Sequence, residues 1–151
     1  MEKLENIKIY RRKVHYYETD QMAIVHHSNY IRWFEEARID FLEQIGLPMS
    51  EIERQKVQIP VLSVTSHYKT MTRFEDEVLV GMKVEKYNGI KLCISYEIKD
   101  AKTQEIRNIG SSEHCFLDEN GKVISLKKTH PDMHSLLELY INCGTYQGVG
   151  Y

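Results

Sequence analysis

Between residues 30 and 45 the apolar positions return every three to four residues. Tyr30, Trp33, Phe34, Ala37, Phe41 and Ile45 fall on one face of a helix. Arg32, Glu35, Glu36, Glu43 and Gln44 lie largely away from it. Ile31 and Leu42 widen the apolar stripe, so this helix is expected to be covered on most sides. Ser28 or Asn29 is the candidate cap of its first turn. Gly46 is placed to end it, and Pro48 forbids easy continuation. Ser50 and Glu53 have capping-box spacing for a short second helix over about 51–55. Upstream, residues 7–17 mix β-branched and aromatic residues with basic ones, the pattern of a strand with one wet face.

Past this point the period changes from 3.6 to 2. Leu62, Val64, Ser66 and Tyr68 share one face of a strand over 58–71. Val78, Val80, Met82 and Val84 alternate over 77–87, and Ile90, Leu92, Ile94, Tyr96 and Ile98 over 90–99. Asn88-Gly89 between the last two runs is a hairpin signal. A further strand spans 104–117, with Gly110 as a bulge or a point of close approach. Residues 118–121 form a turn, and Pro131 opens a short helix to about Tyr140. The order is strand, long helix, then four strands joined by tight turns. That is an α+β arrangement in which a curved antiparallel sheet of about five strands covers one helix. So small a sheet leaves exposed edges. The long apolar run 59–68 makes a symmetric dimer through that edge the natural remedy.

Composition narrows the function classes. The chain has 151 residues, 42% hydrophobic and 28% charged, which is one domain (residues 1–151) with its own core. The Gly-rich stretch 141–151 reads as a loose tail. A net charge of −2 gives no general attraction to nucleic acid or anionic membrane. No apolar run approaches the ~20 residues of a membrane span, and the charged N-terminus lacks an apolar signal core. Cys93, Cys115 and Cys143 are odd in number and widely spaced, as in a reducing compartment, so the protein is expected in the cytoplasm. His26 and His27 are adjacent and cannot easily share one ion. No second cluster completes a site, so no metal is expected.

The segment YETDQMAIVHHSNY, residues 17–30, followed by WFEEAR, residues 33–38, resembles the signature of hotdog-fold thioesterases. It is most similar to the 4-hydroxybenzoyl-CoA thioesterase-like branch of acyl-CoA thioesterases. The likeness runs from about Val14 to Leu117 and implies the hotdog fold, a curved sheet wrapped around one long central helix. It also implies an acyl-CoA substrate and no cofactor, CoA being part of that substrate. A homodimer or homotetramer is implied as well. Many relatives carry Gly where this chain has Ala23, which leaves either a negative-φ loop or mild strain.

Thioester hydrolysis needs a carboxylate that attacks the carbonyl or activates water, and donors that meet the developing oxyanion. By resemblance Asp20 is the carboxylate. The oxyanion donor is the helix start near His27, first through its backbone N–H. The expected pocket lies between subunits, with Tyr30 and Phe34 contributed by the helix and Thr65, Ser66 and Tyr68 by the facing strand of the other subunit. Arg73, Lys86 and Lys91, with Lys127 and Lys128, are the candidate partners of the CoA phosphates. Glu35 and Glu36 occupy the helix that carries the catalytic Glu of a second hotdog branch; here Asp20 holds the first branch's position. The competing readings are an acyl–acyl-carrier-protein thioesterase and a hotdog module that binds acyl-CoA without turnover.

Overall fold

The 3.6-residue stripe forms helix α1 (Ser28–Gln44), and its buried face is the expected one: Tyr30, Trp33, Phe34, Ala37 and Phe41. The computed structural model describes residues 3–148. Gly46 at φ 97° ends the helix, with the Leu47 N–H donating back to the Leu42 carbonyl at 2.8 Å. The helix begins differently from expectation. Neither Ser28 nor Asn29 caps it; the capping position is His27, and no side chain of that residue closes the turn. Helix α2 (Met49–Arg54) starts after Pro48, so Ser50 lies inside it and the anticipated capping box does not form.

Five strands make one antiparallel sheet: β1 (Tyr10–Lys13), β2 (Val61–Tyr68), β3 (Glu77–Tyr87), β4 (Lys91–Asp100) and β5 (Ile106–Cys115). Their order is β1-β3-β4-β5-β2. The period-2 residues Val78, Val80, Met82 and Val84 of β3 and Leu92, Ile94, Tyr96 and Ile98 of β4 are buried beneath α1. Phe34 stacks on Tyr96, ring centroids 4.3 Å apart and nearly coplanar. Where β5 passes α1, only glycine fits: a Cβ on Gly110 would lie 2.5 Å from Phe34 Cζ and from the Thr65 carbonyl.

Three expectations are corrected. The first strand is short, because a 3-10 turn at Tyr16–Glu18 breaks it. β2 and β3 are not a hairpin: β2 pairs with β5 at the far edge. The linker between them crosses the helix start instead, where the Thr72 carbonyl accepts the Val25 N–H at 2.8 Å and the Thr72 hydroxyl the Tyr30 hydroxyl at 3.1 Å. The tail is not loose over 141–148. β1 covers only the first half of the β3 edge, and residues 142–145 take up the rest. The Asn142 N–H donates to the Val84 carbonyl at 2.7 Å and the Thr145 N–H to the Met82 carbonyl at 2.8 Å. The end of that tail, residues 149–151, lies outside the described residues. Two short helices, α3 (Leu126–Thr129) and the expected α4 (Pro131–Glu138), close the chain against the β3–β4 hairpin end. Among the described residues no helix is long and apolar enough to cross a membrane.

Candidate active site

The loop between the 3-10 turn and α1 is a closed structure. Thr19 bridges Val25, the Asp20 N–H donates to the Ile24 carbonyl at 2.9 Å, and the Ala23 N–H donates to the Asp20 carbonyl at 3.0 Å. Closing so tight a turn forces Ala23 to φ 63°, the left-handed region, so the strained alternative holds. Asp20 Oδ1 accepts the Met22 N–H at 2.8 Å, while Oδ2 has no protein partner among the described residues.

Glu18 anchors this loop from below. Its Oε1 accepts from Arg12 Nη1 at 2.6 Å and from the His15 N–H at 2.8 Å, and its Oε2 from Trp33 Nε1 at 2.8 Å. Burial alone pushes this carboxyl up; the Arg12 guanidinium and the two N–H donors outweigh it and hold it below its usual value. Above, the Glu18 carbonyl accepts the His26 N–H and the Asn29 side-chain amide, both at 2.8 Å. Asn29 therefore ties the helix to the loop rather than capping it. His26 Nδ1 accepts the Ser28 N–H at 3.2 Å, a role that the sequence did not disclose.

Asp20 and His27 line one cleft of about 320 Å³ together with Val25, Tyr30, Tyr68 and Lys69. Tyr68 reaches it from its own chain: its hydroxyl donates to the His27 carbonyl at 3.0 Å, and its ring meets those of His27 and Tyr30 edge-on. The His27 N–H has no acceptor among the described residues. It sits at the positive end of α1. Burial pushes the Tyr30 phenol up, so it stands as a neutral wall donating to Thr72.

Other sequence candidates lie elsewhere. Phe34 is fully buried in the core. Thr65 is on the sheet face away from α1, bonded to Ser111 at 2.6 Å, because alternate β2 residues point to opposite sides. Ser66 faces inward but holds Asn108 at 2.8 Å and does not line the cleft. Lys86 and Lys91 flank the β3–β4 hairpin, which the ladder register sets at the opposite end of the sheet from Tyr68. Arg73 is near the site, bridged to Ile24 of the loop. Lys69, one residue past β2, lines the cleft and carried no signal in the sequence beyond its charge. Among the described residues no group of three His, Cys, Asp or Glu side chains is placed to hold a metal ion.

Comparison with known proteins identifies the family and the fold. Residues 14–134 match the model of the thioesterase-like superfamily. A protein of Aquifex aeolicus named "Putative esterase" is 35% identical over 120 residues, 80% of this chain and 91% of that one. The Bacillus subtilis "Putative acyl-CoA thioesterase YneP" is 33% identical over 126 residues, 83% of this chain and 91% of that one. The crystal structure of a DHNA-CoA thioesterase from Staphylococcus aureus superposes with a TM-score of 0.82 at 32% identity, covering 87% of this chain and 88% of that one. With its five-stranded curved sheet and a match over most of its length, this chain belongs to the thioesterase-like superfamily, in the hotdog fold.

Proposed function

We propose that this thioester hydrolase cleaves acyl-CoA to a free carboxylic acid and CoA in the Asp20 cleft. The observation that carries the reading is the juxtaposition of an uncommitted carboxylate oxygen on Asp20 with an uncommitted N–H at His27, in one cleft at a helix N-terminus. The thioester oxygen takes the His27 N–H, which strengthens its hold as negative charge develops. The Asp20 carboxylate either adds to the carbonyl, expelling the CoA thiolate and leaving an anhydride that water opens, or removes a proton from the attacking water. Both routes use the same oxygen. The chemistry calls for no cofactor. Arg73 and Lys69, the cations beside the cleft, are assigned to the CoA phosphates in preference to the distant Lys86 and Lys91.

The working unit is a homodimer. β2 ends the sheet with one unpaired edge on which Val61 and Leu62 are about half exposed, and pairing two such edges removes it. All three cysteines are unpaired, which fits a reducing compartment, and we place the reaction in the cytoplasm.

The test is thiol release from a panel of acyl-CoAs by the wild-type protein and by Asp20→Asn. The amide keeps the Met22 contact and removes the charge. Turnover is expected to fall by about 10³-fold or more, with an unchanged melting temperature. Near-wild-type turnover by a folded Asp20→Asn protein would remove Asp20 from the mechanism.

A further inference from the structure

His27 stands at the capping position of α1, and its own side chain does not close the first turn. The amides that follow are already engaged. The Ser28 N–H donates to His26 Nδ1 at 3.2 Å and the Asn29 N–H to the His26 carbonyl at 3.0 Å. The His27 N–H, without an acceptor among the described residues, is left for a ligand. A helix end is where a helix frays, and an uncapped one frays more readily. A donor for a developing oxyanion works only when it is fixed in place beforehand. The helix start therefore needs a hold from outside itself.

Among the described residues one side chain bonds the His27 backbone. The Tyr68 hydroxyl donates to the His27 carbonyl at 3.0 Å. Tyr68 is the last residue of β2, so this bond ties the start of the helix to the sheet. The phenol is steadied on its way there. Its ring meets the Tyr30 ring at 5.3 Å and the His27 ring at 6.4 Å, both edge-on. The end of β2 is steadied too. Tyr68 pairs with Asn108 of β5, whose amide donates to Ser66 Oγ at 2.8 Å, and the Lys69 N–H donates to the Arg107 carbonyl at 2.9 Å. A phenol has one proton to give. Spent on the His27 carbonyl, it is not available to the thioester oxygen or to the departing thiolate. In this arrangement Tyr68 acts through His27.

We infer that Tyr68 is the positioning residue of the oxyanion donor: its hydroxyl holds the His27 backbone so that the N–H stands where negative charge develops on the thioester oxygen. The inference rests on the proposed hydrolysis in the Asp20 cleft. It differs from the wall role that the sequence suggests for Tyr68, because a wall acts on substrate binding, whereas a hold on the donor acts on the transition state. Tyr68 lines the same cleft as Asp20 and His27 and is half exposed. Water competes for the bond while the cleft is open. An acyl group that enters displaces this water, and the bond strengthens as its surroundings become less polar. The hold is then firmest at the stage when the donor is needed.

Tyr68→Phe keeps the ring with its two edge-on contacts and deletes the hydroxyl. In thiol release from acyl-CoA its kcat is expected to fall about tenfold to a hundredfold, with KM and melting temperature near wild type. Loss of a direct oxyanion donor costs about 10²–10³-fold, and Tyr68 acts one step removed. Tyr68→Leu, which loses the ring as well, is the comparison. A wild-type kcat in Tyr68→Phe with a loss in Tyr68→Leu assigns the phenol to packing. A raised KM at unchanged kcat assigns it to substrate binding. Either result overturns the inference and leaves the hydrolase reading standing. A second measurement needs no turnover. Ketone analogues of the acyl-CoA panel, with a methylene in place of the thioester sulfur, offer the same carbonyl oxygen and cannot be cleaved. They are titrated into the wild type and Tyr68→Phe while the His27 amide proton is followed by NMR. A downfield shift in the wild type and a markedly smaller one in Tyr68→Phe support the inference. Equal shifts overturn it, and no shift with any analogue removes the His27 N–H as donor and the inference with it. This arm decides the role of Tyr68 even if no acyl-CoA is hydrolysed and the functional reading falls separately.

Discussion

Ala23 sets the shape of the loop that aims Asp20. Its φ of 63° is a conformation that costs an L-residue about 1–2 kcal/mol, and it is held by the Thr19–Val25 bridge and the two hydrogen bonds across the turn. Glycine there would remove that cost but would bring a larger entropy loss on folding, about 0.5–1 kcal/mol. Ala23→Gly is therefore expected to stabilise the protein slightly, raising the melting temperature by about 1–3 °C in a thermal scan. A lower melting temperature would mean that the Ala23 methyl makes a contact worth more than the strain. At this scale the sequence was informative where chemistry restricts residue type. Asp20 and His27, assigned by resemblance to the family signature, and Tyr30 on the apolar helix face do come together in one cleft. Thr65 and Ser66 were expected to reach the pocket of the other subunit; within their own chain they bond Ser111 and Asn108, because neighbouring strand residues point to opposite faces. The roles of His26 and Asn29 were hidden because both are contacts to the backbone, to Ser28 and to Glu18.

Between elements, Glu18 is the joint. It ties β1 through Arg12, the 3-10 turn through the His15 N–H, and α1 through Trp33, with Arg12 also stacked over the Trp33 ring at 5.0 Å. The pair is nearly buried, with side-chain exposures of 10% and 4%, so loss of Arg12 strands the Glu18 charge, whereas Arg12 without Glu18 keeps Glu36 at 2.8 Å. Because the folded carboxyl lies below the usual 4.5, its stabilisation is complete above about pH 4.5 and is lost as pH falls through the lower folded value. Glu18→Gln is expected to cost about 1–3 kcal/mol at neutral pH, since Arg12 retains Glu36. It is also expected to flatten the acid limb below pH 4.5, measured as urea midpoints across pH. An acid limb as steep in the variant as in the wild type would exclude Glu18 as its source. The long elements were legible because α1, β3 and β4 each bury a continuous periodic face. The first strand and the tail were read less well. Residues 7–17 keep strand-like composition through the 3-10 turn, and residues 142–145 pair with β3 through backbone groups that composition does not reveal.

At the scale of the whole molecule, the two sheet edges differ. β1 is four residues long and carries Arg11, Arg12 and Lys13, and the tail covers the β3 edge beyond it. β2 is eight residues long, with Val61 and Leu62 at 49% and 51% exposure, and among the described residues no strand pairs with the edge it turns away from β5. Its place at an edge was read from its long apolar run, but its pairing with β5 was not, since strands adjacent in sequence usually pair and only the crossing of residues 69–76 over the helix start sends β2 to the far side. An apolar run of this length at an edge calls for a partner, which the sequence alone already suggests. If two β2 edges form the dimer, Val61→Asp with Leu62→Asp sets carboxylates along the seam from both copies. Like charges so placed cost several kcal/mol, enough to raise the dissociation constant by about 10²-fold or more. Sedimentation at micromolar concentration is then expected to give a dimer for the wild type and a monomer for the double variant, with an unchanged circular dichroism spectrum. Hydrolysis should fall with the dimer fraction and recover as protein concentration is raised, because the Asp20 cleft is lined by Tyr68 at the end of β2 and so lies beside the proposed seam. A monomeric double variant with full activity would place the whole site within a single chain, and an unaltered dimer would move the interface away from β2.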